Sequence, residues 1–113
     1  MGKKQQEEVT FPTARILRLR EMIDYTSGGI VSKQVIKSDH GNVTLFAFSA
    51  GEGLSEHSSP YEALVQVIEG IGEIVIGGKK HRLESGESIL MPADIPHAVA
   101  APGPFKMLLT MIK

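Results

Sequence analysis

The sequence predicts an all-β fold, an antiparallel sandwich or small barrel, and three observations carry that expectation. Short segments rich in β-branched and aromatic residues recur from about Ile30 to the end. Gly, Pro, Ser, Asp and Asn punctuate them at close, regular intervals. Between them there is no room for the crossover helices that a parallel βαβ sheet requires. At 113 residues the chain suits one domain with a single sizeable core.

Taken in order, residues 1–10 read as a flexible tail, and 11–113 as one domain. From Ala14 to Tyr25, apolar Ile16, Leu19 and Ile23 have partly helical spacing, which predicts a short helix or turn around Arg18 to Tyr25. Ser27-Gly28-Gly29 ends it. Ile30 to Ile36 alternates, with Val31 and Val35 on one face, and Val43 to Phe48 is apolar, β-branched and aromatic. Ala63 to Ile68 and Ile71 to Ile76 flank Gly70. Gly77-Gly78 then gives a tight turn into Lys79 to Leu83. Glu84-Ser85-Gly86 turns into Ser88 to Met91, and Pro92-Ala93-Asp94-Ile95-Pro96 is a stiff loop. His97 to Ala100, the turn Pro102-Gly103-Pro104 and Phe105 to Ile112 complete the chain.

Composition removes whole classes of function. A net charge of -1 offers no basic field for nucleic acid and no polybasic patch for an anionic membrane. Without cysteine there is no disulfide, thiolate nucleophile or sulfur-ligated zinc. The longest apolar runs, such as Met107-Leu108-Leu109, fall far short of the roughly 20 residues that span a bilayer. The charged start has no apolar signal core, and Gln6 stands where a myristoylation motif needs Ser or Thr. A cytoplasmic location is expected.

Two stretches carry the chemistry. The first has Gly51, His57, Ser59, Ala63 and Gly70. The second has Gly86, Pro92, Asp94, His97 and Ala101. At these spacings they resemble the paired motifs of the cupin superfamily, G-x5-H-x-H-x3-4-E-x6-G and G-x5-P-x-G-x2-H-x3-N. The resemblance covers about Gly41 to Lys113. It implies a small β-barrel of the double-stranded β-helix, jelly-roll-like kind, with a site at one rim. Members that bind a metal use two His and a Glu of the first motif and the His of the second. Here Ser59 stands at the second His position and Ala63 at the Glu position, while Asp94 replaces Gly and Ala101 replaces Asn.

The remaining pair, His57 and His97, is an incomplete ligand set, because protein metal sites use three or four protein ligands. Glu62 and Gln66 lie at odd spacings from Ala63, so strand alternation points them to the opposite face. Glu56 and Tyr61 flank the first motif on an expected loop. No cofactor is expected beyond, at most, a divalent transition metal on His57 and His97. Met91, Met107 and Met111 are expected in the cavity wall, along with Ala63, Val65 and Val67. His40 reads as a turn residue and His81 as part of a solvated basic strand edge. No Ser-His-Asp arrangement is visible, and neither Gly51-Glu52-Gly53 nor Gly70-Ile71-Gly72 has the setting of a nucleotide-binding loop.

These observations favour a protein that binds a small molecule in a two-histidine pocket, with His57, Ser59, Tyr61 and His97 orienting the ligand. The alternative is a metal-dependent enzyme of dioxygenase or isomerase type, as the resemblance implies. A third reading is a ligand-free structural dimer. The resemblance also implies a homodimer, since small cupins often pair through sheet faces and exchanged N-terminal strands, and the apolar Val31, Val35 and Val43 to Phe48 suit that.

Overall fold

The structure, a computed structural model, describes residues 11–113. The tail expected at 1–10 lies outside the described residues. Nine strands follow a 3-10 turn at Leu19–Glu21: β1 (Ile30–Ser38), β2 (Gly41–Phe48), β3 (Gly53–His57), β4 (Glu62–Glu69), β5 (Ile71–Ile76), β6 (Lys79–Glu84), β7 (Ser88–Met91), β8 (His97–Ala100) and β9 (Phe105–Ile112). They form a five-stranded sheet ordered β1-β2-β9-β4-β7 and a four-stranded sheet ordered β3-β8-β5-β6. Every pairing is antiparallel. The two sheets stack as a jelly-roll-like sandwich rather than closing into a continuous barrel. Among the described residues no helix is long and apolar enough to cross a membrane.

Strand alternation divides the large sheet into two apolar faces. The inner face buries Ala63, Val65 and Val67 of β4 with Phe105 and Met107 of β9 and Phe48 of β2, against Ile74 and Val99 of the small sheet. Phe48 and Phe105 stack at 4.8 Å between ring centroids and 5° between planes. Gly72 lies under that stack. A Cβ there would stand 2.5 Å from the Phe105 ring, so the space a side chain would take belongs to the aromatic pair.

The outer face holds a second core. Leu45, Ala47 and Val35 are covered by Phe11 and Ile23, with Leu17, Leu19 and Met22 packed around them. A β-bulge at Val35 puts it and Ile36 on the same face, which lets β1 cross this core without losing register. Residues 11–25 are therefore a strap across the large sheet. Its helical spacing is realised as a single 3-10 turn, and Ile16 projects away, 96% exposed.

Polar contacts hold the strap down. Lys106, buried on β9, donates from Nζ to the Arg20 carbonyl at 2.5 Å and lies 3.5 Å from the Glu69 carboxylate. Its ammonium also sits 5.0 Å from the centre of the Tyr25 ring. Tyr25 donates its hydroxyl to Glu69 at 2.6 Å, and Lys33 donates to the Met22 carbonyl at 2.9 Å. This arrangement corrects the expected dimer surface: Val35, Leu45, Ala47 and Phe48 are buried within one chain, Leu45, Ala47 and Phe48 completely.

Candidate functional site

His97 opens β8 and His57 closes β3, and the two are directly paired in the sheet register. Local sequence decides how His57 gets there. Leu54 pairs with Val99 on the inner face, three residues before His57, an odd interval that would aim His57 outward. A bulge between Leu54 and His57 adds one residue to β3 and returns the imidazole to the inner face. The rings meet edge to face, with centroids 4.4 Å apart and planes at 68°. His97 is buried and His57 exposed, so the pair runs from the interior to the rim.

Each ring is oriented in the same way. His57 Nδ1 lies 2.8 Å from the Ser55 carbonyl oxygen, and His97 Nδ1 lies 3.1 Å from that of Ile95. A carbonyl only accepts, so each Nδ1 carries a proton, and in the neutral ring Nε2 is then the acceptor. Each ring thus has one nitrogen fixed by the backbone and the other left for a ligand.

The other expected residues are placed differently. Ser59 is committed to the loop: its hydroxyl accepts the Tyr61 N–H at 3.0 Å and its carbonyl accepts the Asp94 N–H at 2.7 Å. Tyr61 is half-buried at the rim, with the Lys113 ammonium 5.8 Å from its ring centre. Ala63 faces inward, and Glu62 is exposed on the opposite face, where it accepts the Ala93 N–H at 3.0 Å. Glu56 lies in β3 rather than on a loop and is exposed. Val65, Val67 and Met107 are between 0 and 1% exposed, so they form the packed floor beneath the site rather than an open cavity wall. Met91 is 4% exposed, and Met111 is partly buried against the same core.

Sequence reasoning expected Ala63, Met91 and Met111 at the cavity but missed Lys37, Asn42, Thr44 and Lys79. Lys37, Asn42, Met111, Ala63 and Met91 form one register row across the large sheet, at the end that faces the histidines. Asn42 and the next inward residue, Thr44, are linked through Thr44 Oγ1 to Asn42 Oδ1 at 3.3 Å. The signal was the alternation Asn42, Thr44, Phe46, Phe48, which is polar at its first two positions. Lys79 joins the histidine row through Ile76. His40 is exposed in the β1–β2 turn, as expected, whereas His81 on the edge strand β6 is half-buried opposite Ile74 rather than solvated.

A transition metal does not fit this donor set. Two imidazoles stand side by side from β3 and β8, but Ser59 is a neutral hydroxyl tied into its loop and Ala63 has no donor. Among the described residues no group of three or more His, Cys, Asp or Glu is placed to hold an ion.

Comparison with known proteins agrees with the fold. The family model of the Cupin domain matches residues 44–112. No curated protein matches the sequence. Among solved structures, a conserved protein of unknown function from Streptococcus pyogenes is similar at 32% identity, with 91% of this chain and 90% of that chain covered and a TM-score of 0.87. A cupin superfamily protein from Desulfitobacterium hafniense is 30% identical over 89% of this chain and 93% of that one, with a TM-score of 0.84. A Cupin 2 conserved barrel domain protein from Leptotrichia buccalis is 41% identical with a TM-score of 0.83; the match covers 86% of this chain but 47% of that one. With the family model matching more than half of its length and both motif histidines brought together at the rim of the sandwich, the chain belongs to the cupin family.

Proposed function

We propose that the protein binds a small organic molecule at the two-histidine rim, without a resident metal. The observation that carries this reading is the pair itself: two register-matched imidazoles 4.4 Å apart, each locked by a carbonyl so that Nε2 is its acceptor. An apolar floor under a few convergent polar groups is the usual make-up of a small-molecule site. The half-buried Asn42, Thr44 and Tyr61 supply further polar edges around it.

The competing reading is a metal-dependent enzyme of dioxygenase or isomerase type, and one experiment separates the two. Protein purified without an affinity tag is analysed for metal, then heated with and without iron, manganese, nickel or zinc. Less than about a tenth of an equivalent of metal and no shift in melting temperature are expected, since tight binding to the folded state alone raises apparent stability. A stoichiometric metal lost on replacing His57 or His97 by Ala overturns the proposal in favour of the enzyme. In a thermal-shift screen of small organic acids, alcohols and amides, stabilising compounds are expected to lose their effect in His57→Ala and His97→Ala. Stabilisation that survives both changes places the ligand elsewhere.

A further inference from the structure

The end of the molecule away from the histidines carries a cavity of about 550 Å³ against the outer face of the small sheet. Its walls are Ile71 and Glu73 of β5, Arg82 of β6, and the loop of Pro102, Gly103 and Pro104. Glu73 and Arg82 are direct partners in the β5–β6 register, so their side chains rise from one face about 5 Å apart at Cβ. Even so, they are not joined. Among the described residues the only ion pair is Lys106 with Glu69, and neither Glu73 nor Arg82 has a side-chain hydrogen bond.

The walls are stiff. Two prolines fix the loop backbone. It is pinned at Ala101, whose carbonyl accepts the Gly51 N–H at 2.8 Å and whose N–H donates to Glu52 at 2.9 Å. At the closed end Gly70, with φ 75°, touches the Pro104 carbonyl so closely that a Cβ would collide with it. Ala100, the other register neighbour of Glu73, is small and leaves the floor open. The groove therefore offers one carboxylate and one guanidinium side by side, among apolar walls that need no rearrangement.

We propose that this groove is a second binding site, for a free α-amino acid with an apolar side chain. That ligand carries an ammonium and a carboxylate on adjacent atoms of one centre, matching two opposite charges rooted at adjacent sheet positions. Arg82 takes the carboxylate through its planar fork, Glu73 takes the ammonium, and Ile71, Pro102 and Pro104 cover the side chain. Because Glu73 and Arg82 are not paired with each other, a ligand breaks no ion pair on entering. The site is separate from the histidine rim and does not depend on it.

The test is calorimetric titration of the whole chain with L-leucine, N-acetyl-leucine, leucinamide and N-acetyl-leucinamide, with amide NMR shifts to locate the contact. Leucine is expected to bind and to shift Gly70, Glu73, Arg82 and Gly103. Blocking either charge weakens binding about tenfold, and blocking both abolishes it. Glu73→Gln and Arg82→Gln each lower affinity by about tenfold or more, while His57→Ala and His97→Ala leave it unchanged. Equal binding of N-acetyl-leucinamide, unchanged affinity in both charge variants, shifts centred on the histidines, or no binding of leucine at millimolar concentration overturns the proposal.

Discussion

Single residues set the geometry of the rim. His57 reaches the interior through one extra residue in β3, and the loop that positions His97 depends on Asp94. Asp94 has φ 66°, in the left-handed region where a side chain is disfavoured, and the cupin pattern has Gly at this position. Asp is among the residues that tolerate this conformation, which explains how the loop keeps its shape without the glycine. The Asp94 N–H to Ser59 bond then ties the loop to the first motif. Asp94→Gly is therefore expected to stay within about 0.5 kcal/mol of wild type, whereas Asp94→Val loses about 1–2 kcal/mol. Urea unfolding of both variants measures this, and equal stability would remove the role assigned to the backbone at Asp94. At this scale the sequence was informative about His57 and His97 because spacing alone pairs them. It placed Ser59 in the pocket but could not show that its hydroxyl accepts the Tyr61 N–H, a turn contact that no spacing rule reveals.

Among the elements, the strap and β3 were the hardest to read. β3 was missed because Leu54 is its one large apolar residue; an edge strand with a bulge has neither alternation nor β-branched content to announce it. The strap showed helical spacing, but it is held by sheet lysines that reach its carbonyls, a tertiary contact outside any local pattern. By contrast, β5 and β6 were legible because Gly77-Gly78 joins two alternating runs. The clasp on the strap is pH-sensitive in both directions. Burial, and then the hydrogen bond to Glu69, hold the Tyr25 hydroxyl well above its usual ionisation range. The Tyr25 hydroxyl, helped by Lys106, holds the Glu69 carboxyl below its usual range, although partial burial works against this. The contribution of Glu69 is present above the unfolded carboxyl range and fades as pH falls through its depressed folded value. The contribution of Tyr25 is full below about pH 10 and fades as pH rises toward its elevated one. Melting temperatures at about pH 4, 7 and 10.5 are expected to fall more steeply at both extremes in wild type than in Tyr25→Phe. Parallel profiles would show that the clasp does not couple to folding.

The whole molecule combines one core between its sheets with another under the strap, and the strap leaves part of the outer face uncovered. Ile36, Val43, Thr110, Leu64 and Leu90 form a register row across all five strands, about 19 Å wide. Ile36 is 56% and Leu90 70% exposed, and Ile112 beside the row is 59% exposed. With Val35, Leu45, Ala47 and Phe48 buried within one chain, we propose that a homodimer uses the apolar surface of this row. Sedimentation at micromolar concentration is expected to give twice the chain mass, and Ile36→Lys with Leu90→Lys to give the monomer. A wild-type monomer removes the proposal. The strand order also has a consequence for biogenesis. β9 is the last strand in sequence and yet stands in the middle of the large sheet, bonded to β2 on one side and β4 on the other. Until residues 105–112 emerge from the ribosome, β1–β2 and β4–β7 have no shared neighbour and Phe48 lacks the Phe105 ring it stacks on. The large sheet is therefore completed only once β9 has been made, through long-range pairings that are slow to form. Any nascent form lacking β9 exposes two unpaired strand edges, which makes truncated products candidates for aggregation or proteolysis.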